Sequence, residues 1–414
     1  MNPPPALLPQ IPDKVPRWKI SPAGGKYFVN SVAVSADGGR VVGGTFYHTY
    51  GPGESRRAPA APPLASPVSE LSPDDGTFGV YCYAATGQLQ WKDEFAGWQG
   101  VYWVAISADG SRAAAGGFMS SSSPRGFVRA YDAGNQGAPL LSQRTLERVN
   151  QVALSRDGRW LVAAAEVLLL FRDESPGAGG YAQVAAFSPG SAIVSVGISA
   201  DGRTIACASY GGLIAVLAND AGMLTVRAQW KVPGDTKADF CHMIDLAPDG
   251  KTFAAGGSDG RFYFFDVAKF IATGGPTIVY PTGVKGAVYG VAGAQDGSLF
   301  AGVVNEGEAG QVFPVPVVNG AAAQAHPLAL KRNPNCAALN VTDGVIRLAV
   351  ADGHPDGTPG HYYFFSGPAG AAQPLPRLRW IFQTGNMSWP IVIAADGSAV
   401  VGGSDDSNIY YFTP

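Results

Sequence analysis

The phrase Val32-Ala33-Val34-Ser35-Ala36-Asp37-Gly38, an apolar run that ends in an Asp-Gly pair, decides the fold of this chain because it is repeated. Its last copy is Ile391-Val392-Ile393-Ala394-Ala395-Asp396-Gly397. The Asp-Gly pairs of the repeat begin at Asp37, Asp109, Asp157, Asp201, Asp249, Asp296, Asp343 and Asp396. The successive spacings are 72, 48, 44, 48, 47, 47 and 53 residues, so the natural period is close to 47. A fixed period of this length indicates a repeat architecture.

One repeat unit predicts four short antiparallel strands. Ile244 and Leu246 alternate with less apolar neighbours, which is the period of a β-strand. The Asp249-Gly250 pair then predicts a hairpin turn, and two further strands follow before the next copy of the phrase. Four strands in about 47 residues are typical of one blade of a β-propeller. We therefore predict an all-β fold, an eight-bladed β-propeller of four-stranded antiparallel blades, in which the Asp-Gly residues form turns rather than bind metal.

The two ends of the sequence predict how the ring closes. The last unit stops after three strands, at Ile409-Tyr410-Tyr411-Phe412. The phrase Arg17-Trp18-Lys19-Ile20 matches the fourth-strand phrases of other units, such as Gln229-Trp230-Lys231. The N-terminal strand is therefore expected to complete the last blade and leave no open edge. The seventh unit fits the pattern only if one residue is deleted before Thr342-Asp343-Gly344, so a seven-bladed ring is the alternative.

Two propeller families resemble this sequence at the level of the fold. The run Leu246-Ala247-Pro248-Asp249-Gly250, followed by Gly257-Ser258-Asp259-Gly260 and Phe265-Asp266, resembles the WD-repeat family, although the usual Gly-His pair and the Trp of the closing Trp-Asp are missing. The run Ala85-Thr86-Gly87-Gln88-Leu89-Gln90-Trp91 is similar to the tryptophan-docking phrase of quinoprotein-dehydrogenase-like propellers, which also have eight blades. Both resemblances imply a scaffold and neither implies a particular function.

Composition limits the classes of partner. The chain has 414 residues and a formal net charge of -3, with Lys and Arg scattered along it, so we expect no nucleic-acid binding. The sequence has no apolar run long enough to span a bilayer and no signal-peptide pattern, and its four cysteines have no disulfide or CxxC spacing. We expect a cytoplasmic, monomeric ring that forms a single domain over residues 1–414.

A Pro/Ala/Ser-rich insertion over residues 50–75 in the first blade explains the spacing of 72 residues between Asp37 and Asp109. This insertion is a candidate lid or docking arm.

The residues before each inner strand are the candidate ligand-binding residues. In a propeller they line the mouth of the central channel, on the face that carries the second-to-third-strand loops and the loops between blades. The six or seven positions before each Asp give Asn30, Tyr102, Trp103, Asn150, His242, Tyr289 and Trp389, together with Ser31, Gln151 and Met243. Aromatic and amide side chains in such a place favour a peptide or small ligand, and they could instead fill the channel.

Asp245 is the candidate that departs most from the repeat, because other units have Ala or Gly at its position. A carboxylate on a crowded strand must be hydrogen-bonded. It is either an acid with a shifted pKa or a cation ligand, or it accepts hydrogen bonds from a neighbouring loop.

An acidic rim is also expected on this face. It would either attract a basic partner or a cation, or be ordinary solvated charge. Its loop residues are Asp259, Glu306, Glu308, His354, Asp356, His361, Asp405 and Asp406.

These patterns favour a non-catalytic scaffold that binds a protein or peptide partner through its loop face. One alternative is a small-molecule or sugar binder at the channel mouth. Another is a quinoprotein-like or hydrolase-like propeller enzyme. Quinone chemistry would need repeated docking tryptophans and a metal-binding carboxylate cluster, which the sequence does not display. We therefore predict no catalytic residue, no metal site and no cofactor.

Overall fold

The computed structural model of the protein describes residues 13–46, 77–96, 99–120, 123–175, 179–233, 241–284, 286–305, 310–354, 357–369 and 376–414. Strand β1 (Trp18–Ile20) comes first and is followed by a 3-10 turn over Pro22–Gly25. The later strands form the antiparallel sheets of a β-propeller, which confirms the predicted fold class. The predicted insertion over residues 50–75 lies outside the described residues.

The first four blades follow one another along the chain. Blade 1 contains β2 (Phe28–Val34), β3 (Arg40–Phe46), β4 (Thr77–Ala84) and β5 (Leu89–Ala96). Blade 2 contains β6 (Gly100–Ile106), β7 (Arg112–Phe118), β8 (Gly126–Asp132) and β9 (Ala138–Thr145). Blade 3 contains β10 (Gln151–Leu154), β11 (Trp160–Ala164), β12 (Leu168–Asp173) and β13 (Tyr181–Phe187). Blade 4 contains β14 (Ile193–Ile198), β15 (Thr204–Ser209), β16 (Leu213–Asp220) and β17 (Met223–Lys231).

The remaining blades complete the ring of eight within the described chain. Blade 5 contains β18 (Cys241–Leu246), β19 (Thr252–Gly257), β20 (Arg261–Asp266), helix α1 (Val267–Thr273) and β21 (Ile278–Pro281). Blade 6 contains β22 (Val288–Gly293), β23 (Leu299–Asn305), β24 (Gly310–Val318), β25 (Ala321–Ala322) and β26 (Leu328–Leu330). Blade 7 contains β27 (Pro334–Thr342), β28 (Val345–Asp352), β29 (His361–Pro368) and β30 (Arg377–Gln383). Blade 8 contains β31 (Ser388–Ile393), β32 (Val400–Ser404) and β33 (Ile409–Phe412).

The N-terminal strand closes blade 8, as predicted. Strand β1 pairs antiparallel with β33, with Trp18 opposite Tyr411 and Ile20 opposite Ile409. The Trp18 ring stacks on Tyr411 at 5.2 Å between centroids, and its indole N–H donates to the Ala85 carbonyl in blade 1 at 2.9 Å. The inner strand of each blade contacts the next, and β31 contacts β2. Trp18 therefore ties the last blade to the first.

The seventh repeat unit forms a complete blade, so the eight-bladed count is confirmed over the seven-bladed alternative. Strands β27, β28, β29 and β30 form one four-stranded sheet. Its first hairpin is shorter than the others, because Thr342 pairs directly with Val345 and only Asp343 and Gly344 turn the chain. Both turn residues have positive φ, 52° and 69°, as a two-residue type I′ turn requires. This tighter turn accounts for the residue missing from the seventh phrase.

The Asp of the repeat serves the first hairpin turn, as the sequence predicted. In blade 1 the Asp37 carboxylate accepts a hydrogen bond from the Ser35 hydroxyl at 2.6 Å and another from the Gly39 N–H at 2.8 Å. Gly38 takes the positive φ of 69°. These hydrogen bonds hold the pKa of Asp37 below its usual value, with that of Ser35 contributing most. Later repeats use the same Asp contact to the backbone N–H two residues on, for example Asp396 to Ser398.

The hydrophobic core lies between blades. In one cluster Ile214 and Val216 of blade 4 pack with Phe253 and Phe265 of blade 5, and the two Phe rings stack at 4.3 Å. A blade of four strands cannot bury both of its faces alone, so each blade depends on two neighbours. In the part of the chain that the structure describes, no helix is long and apolar enough to cross a membrane.

Three of the four cysteines are buried free thiols in strands. Cys82, Cys207 and Cys336 lie in β4, β15 and β27, and none is in a disulfide. Burial raises the pKa of Cys82 to about 11 and that of Cys207 to about 12, so both thiols stay protonated near neutral pH. The side chain of Cys241 lies outside the described residues.

The closing strand generates a stability prediction. We expect Trp18→Ala to lower the free energy of unfolding by about 3 kcal/mol, because it removes a half-buried indole and its hydrogen bond to blade 1. Lys19→Ala, on the exposed position next to it, is the control and should change stability by less than about 1 kcal/mol. Urea unfolding followed by circular dichroism measures both. Equal effects of the two substitutions would show that β1 does not stabilise the ring through Trp18.

Candidate functional site

A β-bulge marks the start of most inner strands. Seven of the eight described inner strands have a register shift there, for example between Val29 and Ser31 in β2 and between Val101 and Trp103 in β6. The extra residues in these two strands are Asn30 and Tyr102, which the repeat alignment selected. A bulge turns its extra side chain out of the regular pleat. The structure thus gives a physical reason why these positions differ from the rest of the strand.

The two candidate asparagines connect neighbouring blades. Asn30 is buried, and its amide donates to the Tyr102 carbonyl in blade 2 at 2.9 Å. Asn150 is also buried, and its amide donates to the Ile193 carbonyl in blade 4 at 2.6 Å. Ser31, which follows Asn30, accepts a hydrogen bond from the Val104 N–H of blade 2 at 3.0 Å. These side chains stabilise the ring, and their contact with a ligand stays a prediction.

The four candidate aromatic residues are half-buried. Tyr102, Trp103, Tyr289 and Trp389 each keep part of the ring exposed. Trp103 packs against the core between blades 2 and 3, and burial raises the pKa of Tyr289. Large rings held partly exposed on a rigid frame provide contact area at a small entropic cost. The backbone of His242 lies in β18, but its side chain is outside the described residues.

Asp245 bridges blades 5 and 6. Its Oδ2 accepts a hydrogen bond from the Gly293 N–H in the next inner strand at 2.7 Å. Desolvation raises the pKa of Asp245 to about 6, and the hydrogen bond from Gly293 opposes that rise. This geometry is that of a structural acceptor, the second of the two sequence-based interpretations.

The position of Asp245 coincides with a gap in a series of backbone hydrogen bonds between blades. The Ala36 N–H donates to the Ala108 carbonyl at 2.9 Å, and the series continues to Ala200, whose N–H donates to the Pro248 carbonyl at 2.7 Å. Proline has no N–H, so Pro248 cannot donate to blade 6. The carboxylate of Asp245 supplies a contact between these two blades instead.

Arg148 forms a cluster at the channel mouth that the sequence did not reveal. It lies between β9 and β10, in a loop on the predicted binding face, and its Cζ is 4.2 Å from the centroid of the Tyr102 ring and 5.3 Å from that of Phe118. Its Nε donates to Asn150 Oδ1 at 2.7 Å and its Nη2 to the Tyr210 hydroxyl at 3.2 Å. We call the residues Phe46, Tyr102, Phe118, Arg148 and Tyr210 the Arg148 cluster.

The Arg148 cluster brings together residues of blades 1, 2 and 4 and the loop between blades 2 and 3. Phe46 meets Tyr102 edge to face at 5.7 Å between centroids. Two candidates, Tyr102 and Asn150, come together here because both contact Arg148. The sequence signal that could have indicated this cluster is Arg148 itself, a basic residue nine positions before Asp157. The repeat alignment compared only the positions six and seven residues before each Asp, so it did not include Arg148.

The predicted acidic rim is largely used inside the blades. Asp406, between β32 and β33, accepts from the Tyr410 hydroxyl at 2.6 Å and from the Gly385 N–H at 2.8 Å. Asp259 accepts from the Tyr263 hydroxyl at 2.5 Å. His361 is buried, and its Nδ1 lies 3.0 Å from Asp352 Oδ1. Each pairing of an Asp with a Tyr fastens a loop to its own blade.

The rest of the rim adds no metal centre to the described chain. Asp405 is also buried, and His354 is partly exposed. Glu306, Glu308 and Asp356 lie outside the described residues. Within the described ranges, no group of three or more His, Cys, Asp or Glu side chains could hold a metal ion.

One sequence match to a catalytic motif does not have the required geometry. Gly256-Gly257-Ser258-Asp259-Gly260 has the letters of the Gly-x-Ser-x-Gly motif. A nucleophile elbow is a turn from a strand to a helix, whereas this run joins the antiparallel strands β19 and β20. The motif therefore describes a hairpin in blade 5.

A cleft of about 570 Å³ lies away from the channel mouth. It is formed by the 3-10 turn and the outer strands β4 and β5 of blade 1. Its lining includes Tyr27, Tyr81, Tyr83, Lys92 and Glu94, and the carboxylate of Glu94 accepts from the Tyr81 hydroxyl at 2.8 Å. Because it faces the outside of the ring, it is separate from the predicted site.

Comparison with known proteins supports the fold. No protein-family model and no curated protein matches this sequence. Solved structures of Sqt1 are similar in fold: that of Saccharomyces cerevisiae has a TM-score of 0.65 and 10% identity, covering 96% of this chain and 98% of that one. Sqt1 of Chaetomium thermophilum, bound to the N-terminus of the ribosomal protein L10, has a TM-score of 0.68 and 14% identity, covering 94% and 98%. This chain has a WD-repeat-like β-propeller fold. At such low identity the likeness shows the fold alone.

The raised pKa of Asp245 predicts a pH dependence of stability. Its carboxyl titrates near 3.8 in the unfolded chain and near 6 in the fold, so between these values the folded protein holds a proton that the unfolded chain has released. Stability should therefore fall as the pH rises from about 4 to about 6 and then level off. We expect the free energy of unfolding of the wild type, relative to Asp245→Asn, to fall by roughly 2 kcal/mol over this range, allowing for the partial exposure of the side chain.

Urea unfolding at several pH values measures this difference. The matched control is Asp220→Asn, which also removes one carboxylate but at the exposed end of β16 in blade 4. A constant difference between wild type and Asp245→Asn from pH 4 to 7 would contradict the prediction.

Proposed function

We propose that this protein is a non-catalytic scaffold that binds a peptide segment of a partner protein at the channel mouth on its loop face. The observation that carries the proposal is the group of half-buried aromatic rings at the starts of the inner strands, Tyr102, Trp103, Tyr289 and Trp389. Interfaces draw most of their binding energy from such partly buried aromatic anchors. The inter-blade hydrogen bonds of Asn30 and Asn150 hold the inner strands in place, which limits the entropy lost on binding.

The similarity to Sqt1 supports a peptide partner. One of the similar structures is Sqt1 bound to the N-terminus of a ribosomal protein, which shows that a propeller similar in fold over 94% of this chain accepts a terminal peptide. The proposal for this chain concerns the class of ligand, a peptide segment, and not that ribosomal protein.

The quinoprotein-like alternative rests on the phrase that ends in Trp91. Trp91 is buried and lies 5.2 Å from the Tyr131 ring of blade 2, measured between centroids. A Cβ placed on Gly137 would come within 2.6 Å of the Trp91 ring, so the two blades are in close contact there. Packing between blades accounts for this phrase without a cofactor. A small-molecule or sugar site at the channel mouth is the second alternative, and the same aromatic rings would favour it.

The remaining sequence expectations belong to the same proposal. We propose a single domain over residues 1–414, a monomeric ring and a cytoplasmic setting. Closure by β1 supports the monomer, because it pairs the edge of blade 8 that a second copy could otherwise use. The buried free thiols of Cys82, Cys207 and Cys336 fit a reducing compartment.

Selection from a displayed library of random 12-residue peptides tests the proposal. We expect the wild type to enrich peptides, and Tyr289→Ala and Trp389→Ala each to weaken binding of an enriched peptide at least about 10-fold, because each removes an aromatic anchor. Met223→Ala, on the exposed outer strand β17, is the control and should bind as the wild type does. Isothermal titration calorimetry measures the affinities.

Two outcomes would overturn the proposal. The first is that the library yields no binder while sugars or metal salts raise the melting temperature of the protein, which would favour the small-molecule alternative. The second is unchanged affinity in both folded variants, which would place the binding surface elsewhere.

A further inference from the structure

Arg148 makes two hydrogen bonds in the described chain, both on one side of its guanidinium group. The Nε donates to Asn150 Oδ1, and the Nη2 donates to the Tyr210 hydroxyl. Guanidinium has five N–H donors in one plane. Nη1 makes no hydrogen bond to any described residue, so the end formed by Nη1 and the second N–H of Nη2 is not used within the described part of the protein.

Carboxylates near Arg148 are directed elsewhere. The Glu166 carboxylate accepts from the N–H groups of Leu146 and Glu147 at 3.3 and 3.2 Å. The Glu147 carboxylate lies 3.9 Å from Arg125. Among the described residues, no Asp or Glu forms an ion pair with Arg148.

Two other partly buried arginines of this protein have acidic partners. Arg112 lies 2.8 Å from Asp173 and 3.2 Å from Asp132. Arg129 lies 2.6 Å from Asp93. A cation partly removed from water without a counter-ion is costly, and Arg148 differs from Arg112 and Arg129 in bearing that cost.

The aromatic rings around Arg148 direct this donor end. The Tyr102 ring lies 4.2 Å from the guanidinium carbon and Phe118 lies at 5.3 Å, which are cation–π distances. The backbone of Tyr102 is in turn held by the Asn30 amide. The guanidinium is thus oriented before any ligand binds, with an aromatic wall beside it.

From this geometry we propose that Arg148 is the specificity residue of the channel mouth and binds a carboxylate of the peptide partner. A carboxylate has the planar, two-oxygen shape that matches two parallel N–H donors of guanidinium. It would also supply the counter-ion that the described residues do not provide. This inference rests on the proposed function, since it names the chemical group of the peptide that the loop face recognises.

Peptide selection with controlled chemistry tests the inference. Random 12-residue libraries are prepared with and without Asp and Glu, each with a free or an amidated C-terminus. We expect enrichment on the wild type only where a carboxylate is present, and the four libraries distinguish a side-chain carboxylate from a C-terminal one. In the best peptide, replacing that carboxylate by the amide should weaken binding about 10- to 100-fold, as expected for a charge-assisted pair.

Variants of the protein complete a double-mutant cycle. In Arg148→Gln, the carboxylate-to-amide change in the peptide should alter the affinity less than about 3-fold. Arg148→Lys keeps the charge but not the paired donors, and should recover only part of the discrimination. Arg227→Gln, on the exposed face of β17, is the matched control and should behave as the wild type does. Circular dichroism melting verifies that each variant is folded.

The outcomes separate this inference from the proposed function. Peptides that bind the wild type equally well with carboxylate and amide, or a carboxylate preference that survives in Arg148→Gln, would overturn the role of Arg148 and leave the peptide scaffold standing. The absence of any peptide binder would overturn both.

Discussion

The antiparallel pairing of β1 with β33 closes the ring of blades. Each blade buries its two faces against its neighbours, so an open array would leave two apolar faces in water. Pairing residues from opposite ends of the chain removes that defect, and Trp18 extends the closure from blade 8 to Ala85 in blade 1. Once the ring is closed, the positions of the inner strands around the central channel are fixed. Local features at their ends, such as bulges and amide hydrogen bonds, then occupy defined places around one channel.

Contacts between inner strands turn this closed ring into a frame for binding. In blades 1 to 4 an N–H of the first hairpin bonds to a carbonyl of the next blade, as from Ala36 to Ala108. At Pro248 the series ends, and Asp245 joins blades 5 and 6 through a carboxylate instead. That substitution has an electrostatic cost, which the raised pKa of Asp245 records. Asp245, the most unusual residue of the repeat, thus lies three residues from a backbone position that has no N–H to donate.

Polar residues on the loop face fall into two groups with different roles. Asp406 and Asp259 are paired with tyrosines of their own blades and stabilise loops. Arg148 is held by Asn150, Tyr210 and Tyr102 but has no acidic partner among the described residues. The two aspartates accept from donors nearby, whereas Arg148 is the donor that we propose binds a group supplied by a ligand. This contrast is why the aromatic and basic side of the mouth, rather than an acidic rim, carries the proposed function.

The repeat, the four-stranded blade, the closure by Trp18–Ile20 and the turn role of residues such as Asp37 could all be predicted from the sequence. These depend on local rules, since strand alternation and Asp-Gly turns act over a few residues and recur at a fixed period. The sequence also selected the positions of Asn30, Tyr102 and Trp389 at the channel mouth. The contacts of those side chains could not be predicted, because the ring brings together residues far apart in the chain. Asn30 links two blades, Asp406 is an internal acceptor, and Arg148 has aromatic neighbours from blades 2 and 4. These contacts follow from the three-dimensional ring and not from the spacing along the chain.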